Sequence, residues 1–179
     1  MWEILIPLVV VVAVVLIYNS LVGLREQVDG AWADIDVQLK RRHDLVPNLV
    51  ETVKGYAGHE KETLERVVQA RSSALSAQGP AQQADAENML TGALKSLFAL
   101  SEDYPELQAS ENFRDLQQSL RDLEEDIQRA RRYYNAVVRD YNTRIGQVPH
   151  NVVAQAFRFS KREFFEIDEQ ERDAPRVQF

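Results

Sequence analysis

The chain opens with a long apolar run. Residues 4–24 carry no charge, and Leu8–Ile17 is apolar on every face of a helix. A helix with that pattern lies in a membrane or in a large core. At about 1.5 Å per residue the uncharged run spans roughly 31 Å, close to the hydrocarbon thickness of a bilayer, and Trp2 and Tyr18 lie near its ends. The sequence therefore predicts a transmembrane anchor at 1–24 that contacts lipid through residues 4–24.

A cleaved signal peptide is the main alternative to an anchor. It needs a positively charged start and a small-residue cleavage site. Here Glu3 is the only charge before the run, and no Ala-x-Ala follows it. A buried core helix is disfavoured because no other segment is apolar enough to surround it. Basic residues follow the run from Arg25 onward and none precedes it, so the positive-inside rule predicts an outside N-terminus and a cytoplasmic domain.

Two later stretches carry seam residues spaced alternately three and four positions apart, as in a coiled coil or helical bundle. The first seam is Val28, Trp32, Ile35, Leu39, Arg42, Val46, Leu49, Val53 and Tyr56. The second is Phe113, Leu116, Leu120, Leu123, Ile127, Ala130, Tyr134, Val137 and Tyr141. The pattern predicts an all-α fold, with the anchor followed by an antiparallel up-and-down bundle of long helices over 25–168 and a charged tail at 169–179. A turn at Gly55–Gly58 gives four helices, whereas a bend there gives a long rod with a distal hairpin.

One seam position is charged. Antiparallel pairing of the seams sets Val28 against Tyr141 and brings Arg42 within reach of Glu124 or Glu125. A charge on a seam is costly unless it is paired, so the register predicts an ion pair there. The same register places Arg131 near Asp34 and Asp36.

Prolines, glycines and capping residues predict the helix ends. Pro47 should kink its helix or loosen the turn back to His43. A second helix should start at His59, with Glu60 in its first turn. Gln78-Gly79-Pro80 breaks the chain, after which Asp85 is a plausible N-cap. Tyr104-Pro105 should end that helix, and Ser110 should cap the next.

The C-terminal part is rich in phenylalanine. Pro149 should end the long helix, and Ser160–Glu163 has the spacing of a capping box, which predicts a short helix there. Five of the seven phenylalanines of the chain lie after Pro149, namely Phe157, Phe159, Phe164, Phe165 and Phe179. Burial of their rings would close the open edge of the bundle. The alternative is an exposed docking patch.

Composition limits the functional classes. The absence of cysteine removes disulfides and thiolate chemistry and fits a reducing compartment. A net charge of −7 and a pI near 5.1 argue against nucleic acid as a partner. No basic run beside the anchor is strong enough to predict anionic-lipid binding, because Lys40-Arg41-Arg42 lies about 24 Å further along a helix.

The residue pattern contains no recognisable catalytic or metal site. His43 and His59 are about 24 Å apart on a straight helix, too far to share a metal. His59-Glu60 begins like a zinc-protease motif, but Thr63 stands where the second histidine is needed. No Glu-x-x-His, phosphate-binding loop or nucleophile elbow occurs. We therefore predict no catalytic residue, no metal ligand and no cofactor, and a hydrolase built from scattered residues is a weak third possibility.

Three asparagines stand out among the remaining polar residues: Asn48, Asn135 and Asn142. They would fix the register of the bundle through buried hydrogen bonds, or form a polar strip for a partner or a second copy. The candidate structural or interaction residues are thus Arg42, Pro47, Asn48, His59, Glu60, Glu124, Arg131, Asn135 and Asn142.

Short motifs are spread in order over nearly the whole chain. They are Tyr18-Asn19, Ala31-Trp32, Leu39-Lys40-Arg41-Arg42, Leu45-Val46-Pro47-Asn48-Leu49-Val50, Gly55-Tyr56-Ala57, His59-Glu60, Glu111-Asn112-Phe113, Ala130-Arg131-Arg132-Tyr133-Tyr134-Asn135, Tyr141-Asn142 and Val177-x-Phe179. In this order the sequence resembles the bacterial LemA family. The resemblance implies a single-pass protein of the bacterial inner membrane, with the N-terminus outside and a cytoplasmic antiparallel helical bundle.

The resemblance implies no enzymatic reaction. A similar protein of magnetotactic bacteria takes part in forming magnetosome membranes, and family members are often associated with a membrane metalloprotease. We expect a non-enzymatic scaffold that self-associates as a homo-oligomer and serves membrane or envelope organisation. The alternative is a regulatory or adaptor subunit of a membrane protease or stress-response complex.

Overall fold

The computed structural model describes residues 2–165, and within that range every regular element is a helix. The helices are α1 (Trp2–Ala57), α2 (Lys61–Ser76), α3 (Gly79–Ser101), α4 (Pro105–Ala109), α5 (Glu111–Gly146) and α6 (His150–Ala156). The all-α prediction is confirmed. The predicted tail at 169–179 and Phe179 lie outside the described residues.

The chain divides into two compact units, and α1 and α5 contribute residues to both. The first unit contains the described residues up to Ile35 together with Ala130–Phe164. In this unit the N-terminal part of α1 is exposed and apolar. Burial begins further along, on one stripe of α1 and one stripe of α5. The buried apolar residues of these stripes are Leu21, Val28, Ala31, Ile35, Tyr134, Val138, Tyr141 and Ile145.

The second unit contains Asp36–Arg129 and holds a continuous apolar core built by five helices. Helices α1, α2, α3 and α5 contribute residues mostly three, four or seven positions apart, so that one face of each is buried, and α4 contributes Leu107. Its most enclosed members are Leu49, Val53, Ala57, Val67, Leu90, Leu97 and Leu107. In this unit α1 and α5 run antiparallel, because Arg42 contacts Glu124 whereas Thr52, further along α1, contacts Asn112.

The two predicted seams are largely the buried stripes of α1 and α5. All nine seam positions of α5 and eight of nine on α1 are buried or half-buried. Tyr56 is the exception, with 44 % of its surface exposed, and its neighbour Ala57 is buried instead. The three-and-four alternation fails there because α1 ends at Ala57.

The chain turns at Gly58, which answers the question of turn or bend. Helix α1 ends at Ala57, whose carbonyl accepts a hydrogen bond from the Glu60 N–H at 3.0 Å. A Cβ atom at Gly58 would lie 2.8 Å from the Lys54 carbonyl oxygen, so the turn needs glycine. Helix α2 then starts at Lys61, two residues after the predicted start.

Two predicted helix starts are wrong. Helix α3 begins at Gly79, not after Asp85, because Gly79 adopts a φ of 77° and Pro80 suits the first turn. No helix begins at Ser160 within the described residues, because the backbone there is bound by side chains of α5, as shown below. Two short helices, α4 and α6, were not predicted. The predicted Ser110 cap is confirmed, since its Oγ accepts the Phe113 N–H at 3.5 Å.

Candidate functional site

A buried cluster of charged side chains crosses the second unit. Glu87 of α3 is fully buried, and its Oε1 lies 2.7 Å from Nε2 of His43. Its Oε2 lies 3.4 Å from Nη1 of Arg42, which is itself 3 % exposed. The Nη2 of Arg42 lies 3.2 Å from Oε2 of Glu124 on α5. The structure therefore contains the Arg42–Glu124 contact that the seam register predicts, and adds Glu87 and His43 to it.

Neutral side chains complete this cluster. Nη2 of Arg42 donates to Oγ1 of Thr91 at 2.7 Å, and Nε2 of Gln83 donates to Oε1 of Glu87 at 3.0 Å. Buried charges are tolerated when they are paired and their remaining hydrogen-bonding groups are satisfied. The cluster meets both conditions, so it links α1, α3 and α5 and holds their register.

Sequence reasoning missed Glu87, although a signal was present. Glu87 falls in the apolar stripe of α3 that continues through Leu90, Leu94 and Leu97. A charge in such a stripe indicates a buried partner, the argument that was applied to Arg42. His43 was missed because it lies one position outside the predicted seam.

Pro47 has a specific consequence in α1. The helix continues through it, but proline has no N–H to donate to the carbonyl of His43. The Nε of Arg71, on α2, donates to that carbonyl oxygen at 2.8 Å. The loosened turn expected from Pro47 is thus closed by a side chain from the neighbouring helix. Pro47 and Asn48 are both exposed, so Asn48 does not make the buried hydrogen bond first expected of it.

In the first unit, α5 binds the backbone that follows α6. We call residues 160–163 the strap. The Oδ1 of Asn142 accepts the Arg162 N–H, and its Nδ2 donates to the Arg162 carbonyl, both at 2.9 Å. The hydroxyls of Tyr141 and Tyr134 donate to the carbonyls of Ser160 and Glu163 at 3.0 and 2.9 Å. These bonds occupy backbone groups that a helix at Ser160 would use, which explains its absence.

Burial raises the pKa of Tyr134 to about 12, and burial also raises the pKa of Tyr141. Both hydroxyls therefore stay protonated and able to donate near neutral pH. The Arg162 side chain adds a second tie, with Nη2 at 2.9 and 3.2 Å from the Asp29 carboxylate oxygens on α1.

Aromatic rings cover the part of α1 next to the strap. The ring of Tyr18 lies 4.8 Å from that of Phe157 and 5.8 Å from that of Phe159, centroid to centroid. Arg25 Cζ lies 5.5 Å from the centre of the Phe159 ring, within cation–π distance. Phe165 is buried, whereas Phe157 and Phe164 are 53 % and 43 % exposed. The predicted ring burial thus holds for Phe165, is partial for Phe159, and fails for the two exposed rings.

The remaining candidate residues lie apart from these groups. His59 and Glu60 meet Tyr104, whose hydroxyl lies 2.7 Å from His59 Nε2 and 3.0 Å from Glu60 Oε1. This contact ties the α1–α2 turn to the start of α4. Arg131 is buried and Asn135 is half-buried, each within the first unit. The proximity of Arg131 to Asp34 and Asp36 stays a prediction.

An open groove lies between α3 and α5 in the second unit. Its volume is about 510 Å³, and Lys95, Arg114 and Arg121 contribute cationic side chains to its lining. Among residues 2–165, no group of three or more His, Cys, Asp or Glu side chains is arranged to hold a metal ion.

An apolar helix long enough to cross a membrane, continuous with an all-helical domain, defines a membrane-associated helical protein. Comparison with protein families specifies the class. The LemA family model matches residues 31–179, and the chain belongs to that family.

Three proteins with similar sequences specify the family further. Magnetosome protein MamQ 2 of Paramagnetospirillum magneticum is 26 % identical over 175 residues, covering 83 % of this chain. Magnetosome protein MamQ of Magnetospirillum gryphiswaldense is 25 % identical over 174 residues, again covering 83 %. In both cases the match spans 64 % of the relative's length. Protein LemA of Metamycoplasma hominis is 27 % identical over 158 residues, covering 86 % of this chain and 71 % of the relative.

Proposed function

We propose that this protein is a non-enzymatic, membrane-anchored interaction protein that self-associates and organises the bacterial inner membrane. The observation that carries the proposal is the continuity of α1. Its first part exposes apolar side chains such as Leu8 and Leu16, at 59 % and 65 %, and the same helix then packs into both helical units. A hydrophobic face of this size is stable only in lipid or under another protein.

The proposed topology has the N-terminus outside and the helical units in the cytoplasm. The support is the charge distribution, since Arg25 is the first basic residue of the chain and all others follow it. The relatives named magnetosome proteins support a role at a bacterial membrane.

The outer surface of the second unit supports contact between copies. Helices α2 and α3 expose Val68, Leu75 and Met89 at 52 %, 56 % and 56 %. Val68 and Leu75 are seven residues apart and so lie on the same face of α2. A separate shallow groove of about 430 Å³ lies between α2 and α3 and is lined by Met89 and by small residues such as Gly92 and Ala93. A partner helix can approach closely over small residues and cover such apolar side chains.

The non-enzymatic part of the proposal is supported by the buried cluster. Arg42, His43 and Glu87 are buried titratable side chains, and they bind each other in the interior. Groups that face one another inside a bundle hold helices together, whereas catalytic groups face a substrate.

Crosslinking in native membranes tests the proposal. The chain has no cysteine, so Leu75→Cys introduces a single reactive thiol on the exposed face of α2. Ser119→Cys on α5 is the matched control, because Ser119 is exposed but polar. With a bismaleimide, the proposal predicts covalent dimers from the Leu75→Cys variant and few from the control. Mass spectrometry then identifies what is attached.

Two outcomes would contradict the proposal. Attachment of one other membrane protein without self-links would replace it with the alternative, a regulatory subunit of that partner. Labelling of Leu75→Cys in intact cells by a membrane-impermeant maleimide would refute the cytoplasmic placement, which predicts labelling only after lysis.

A further inference from the structure

A basic, partly apolar segment lies against the membrane-anchor helix. We call residues 144–162 the basic segment. It contains Arg144, Arg158, Lys161 and Arg162 and no Asp or Glu, although the whole chain has a net charge of −7. In the first unit, this segment includes α6 and packs on α1 through Phe157 and Phe159.

The two phenylalanine rings contact α1 inside its uncharged run. Tyr18, which touches both phenylalanine rings, lies within the uncharged run and about 9 Å before its last residue, Leu24. A ring that touches Tyr18 must lie at the depth where α1 enters the bilayer. Phe157 nevertheless keeps 53 % of its surface uncovered by protein.

Further apolar side chains are exposed nearby in the chain. Val148 is 79 % exposed and Val152, on α6, is 66 % exposed, whereas the adjacent Val153 and Ala154 are buried. Helix α6 thus buries one face within the protein and leaves Val152 exposed on another. An aromatic ring, apolar side chains and basic residues together are the composition of segments that lie in the headgroup region of a bilayer.

The charges of the segment are available for lipid. Arg162 is paired with Asp29, but Arg144, Arg158 and Lys161 are exposed and form no ion pair with any other described residue. The acidic side chains nearest to them in sequence are Asp140 and Glu163, at the two ends of the segment. Phospholipid headgroups with a net negative charge attract such clusters.

We propose that the basic segment is an interfacial membrane-binding element: Val148, Val152 and Phe157 enter the headgroup region while Arg144, Arg158 and Lys161 bind anionic phospholipids. The occupant of the exposed face is the leaflet that α1 leaves, since the bilayer already surrounds α1 at the level of Tyr18. This inference rests on the proposed membrane anchor. It adds a second lipid contact, which would fix the tilt and rotation of the first unit on the membrane.

Spin-label depth measurements on the full chain in vesicles test the inference. Because the chain lacks cysteine, Val152→Cys carries the only label, and relaxation by oxygen and by a water-soluble nickel complex reports its depth. Val37→Cys, an equally simple change at an exposed valine of α1 that lies 13 residues beyond the uncharged run, is the aqueous control. In vesicles of phosphatidylcholine with phosphatidylglycerol, relaxation of the label at 152 should be stronger with oxygen, and relaxation of the label at 37 should be stronger with the nickel complex.

The basic residues are tested by lipid composition and by substitution. Changing to pure phosphatidylcholine, or combining Arg144→Gln, Arg158→Gln and Lys161→Gln, should lower the ratio of inserted to aqueous label at 152 by at least about tenfold. If this ratio is the same after both changes, anionic lipid has no role in the insertion. Spin–spin broadening at 152 in place of a depth signal would show that a second copy covers this face, and would also overturn the inference.

A further label separates failure of this inference from failure of the anchor. Val11→Cys, in the centre of the uncharged run, should report the bilayer interior in both vesicle types. A deep label at 11 with an aqueous label at 152 would refute the interfacial segment alone. An aqueous label at 11 would refute the anchor and the inference together.

Discussion

The Nε of Arg71 lies 2.8 Å from the carbonyl oxygen of His43, the oxygen that a residue with an N–H at position 47 would bind. Pro47 cannot make this bond, so the chain supplies the donor from another helix. The guanidinium is half-buried, which makes the substitute bond stronger than one in open water.

Arg71→Met should therefore destabilise the protein by about 1–2 kcal/mol, because it leaves a carbonyl of the α1 interior without a donor. In a Pro47→Ala background the cost should be clearly smaller, since the new N–H at 47 can bind His43. Denaturant unfolding of the four forms in detergent, followed by circular dichroism, measures the coupling. Equal costs in both backgrounds would show that Arg71 acts through packing alone.

The buried Glu87 should be the most sensitive charge in the second unit. Glu87→Ala leaves Arg42 and His43 without their inward partner and should cost about 3–5 kcal/mol. Glu124→Ala removes the other carboxylate on Arg42, but Glu124 is 31 % exposed, so its loss should cost at most about 1 kcal/mol. Unfolding midpoints compare the two variants, and similar losses would argue against the central position of Glu87.

Asn142 should hold the strap in place. Asn142→Ala removes a donor and an acceptor that both bind Arg162, so the amide hydrogen of Arg162 should exchange at least about tenfold faster. The adjacent Thr143 is exposed, and Thr143→Ala is the control that should leave exchange unchanged. Hydrogen–deuterium exchange of peptides covering the strap measures both, and unchanged exchange in the Asn142 variant would refute the tie.

Alkaline pH should loosen the first unit through Tyr134. Its pKa rises from the ordinary value of 10 to about 12 in the folded protein, so the folded state holds this proton more tightly than the unfolded state. The resulting stability is fully present below pH 10 and is lost as the pH rises towards 12. Thermal unfolding between pH 9 and 12 should show a steeper loss for the natural protein than for Tyr134→Phe. Parallel curves would indicate that Tyr134 titrates normally.

Much of the fold could be predicted from local pattern. The spacing of apolar residues identified the buried stripes of α1 and α5, and a single charge on one stripe was enough to predict its contact with Glu124. Ser110 was identified as a cap because side-chain capping is a local interaction. Asp85 was mistaken for one because Gly79 with Pro80 forms a helix start without any side-chain cap.

The errors at the C-terminal end have a different origin. Ser160–Glu163 has a helical capping pattern, yet its backbone is bound by Tyr134, Tyr141 and Asn142. These contacts join residues 19 to 29 positions apart, which is beyond the reach of a local rule. These tertiary hydrogen bonds outweigh the local helix propensity of the segment. Tyr104 also makes a contact that no local rule predicts. Its hydroxyl joins His59 and Glu60, which lie 45 and 44 residues away in the chain.

The sequence by itself determined the all-helical class, the apolar N-terminal helix and the seam positions, because helix formation and burial follow from residue type and period within one segment. Only the tertiary structure decided that Glu87 meets Arg42, that Arg71 replaces the proline's missing donor, and that a basic segment near the C-terminus packs beside Tyr18. These contacts depend on side chains brought together from distant parts of the chain, and their spacing along it carries no periodic signal.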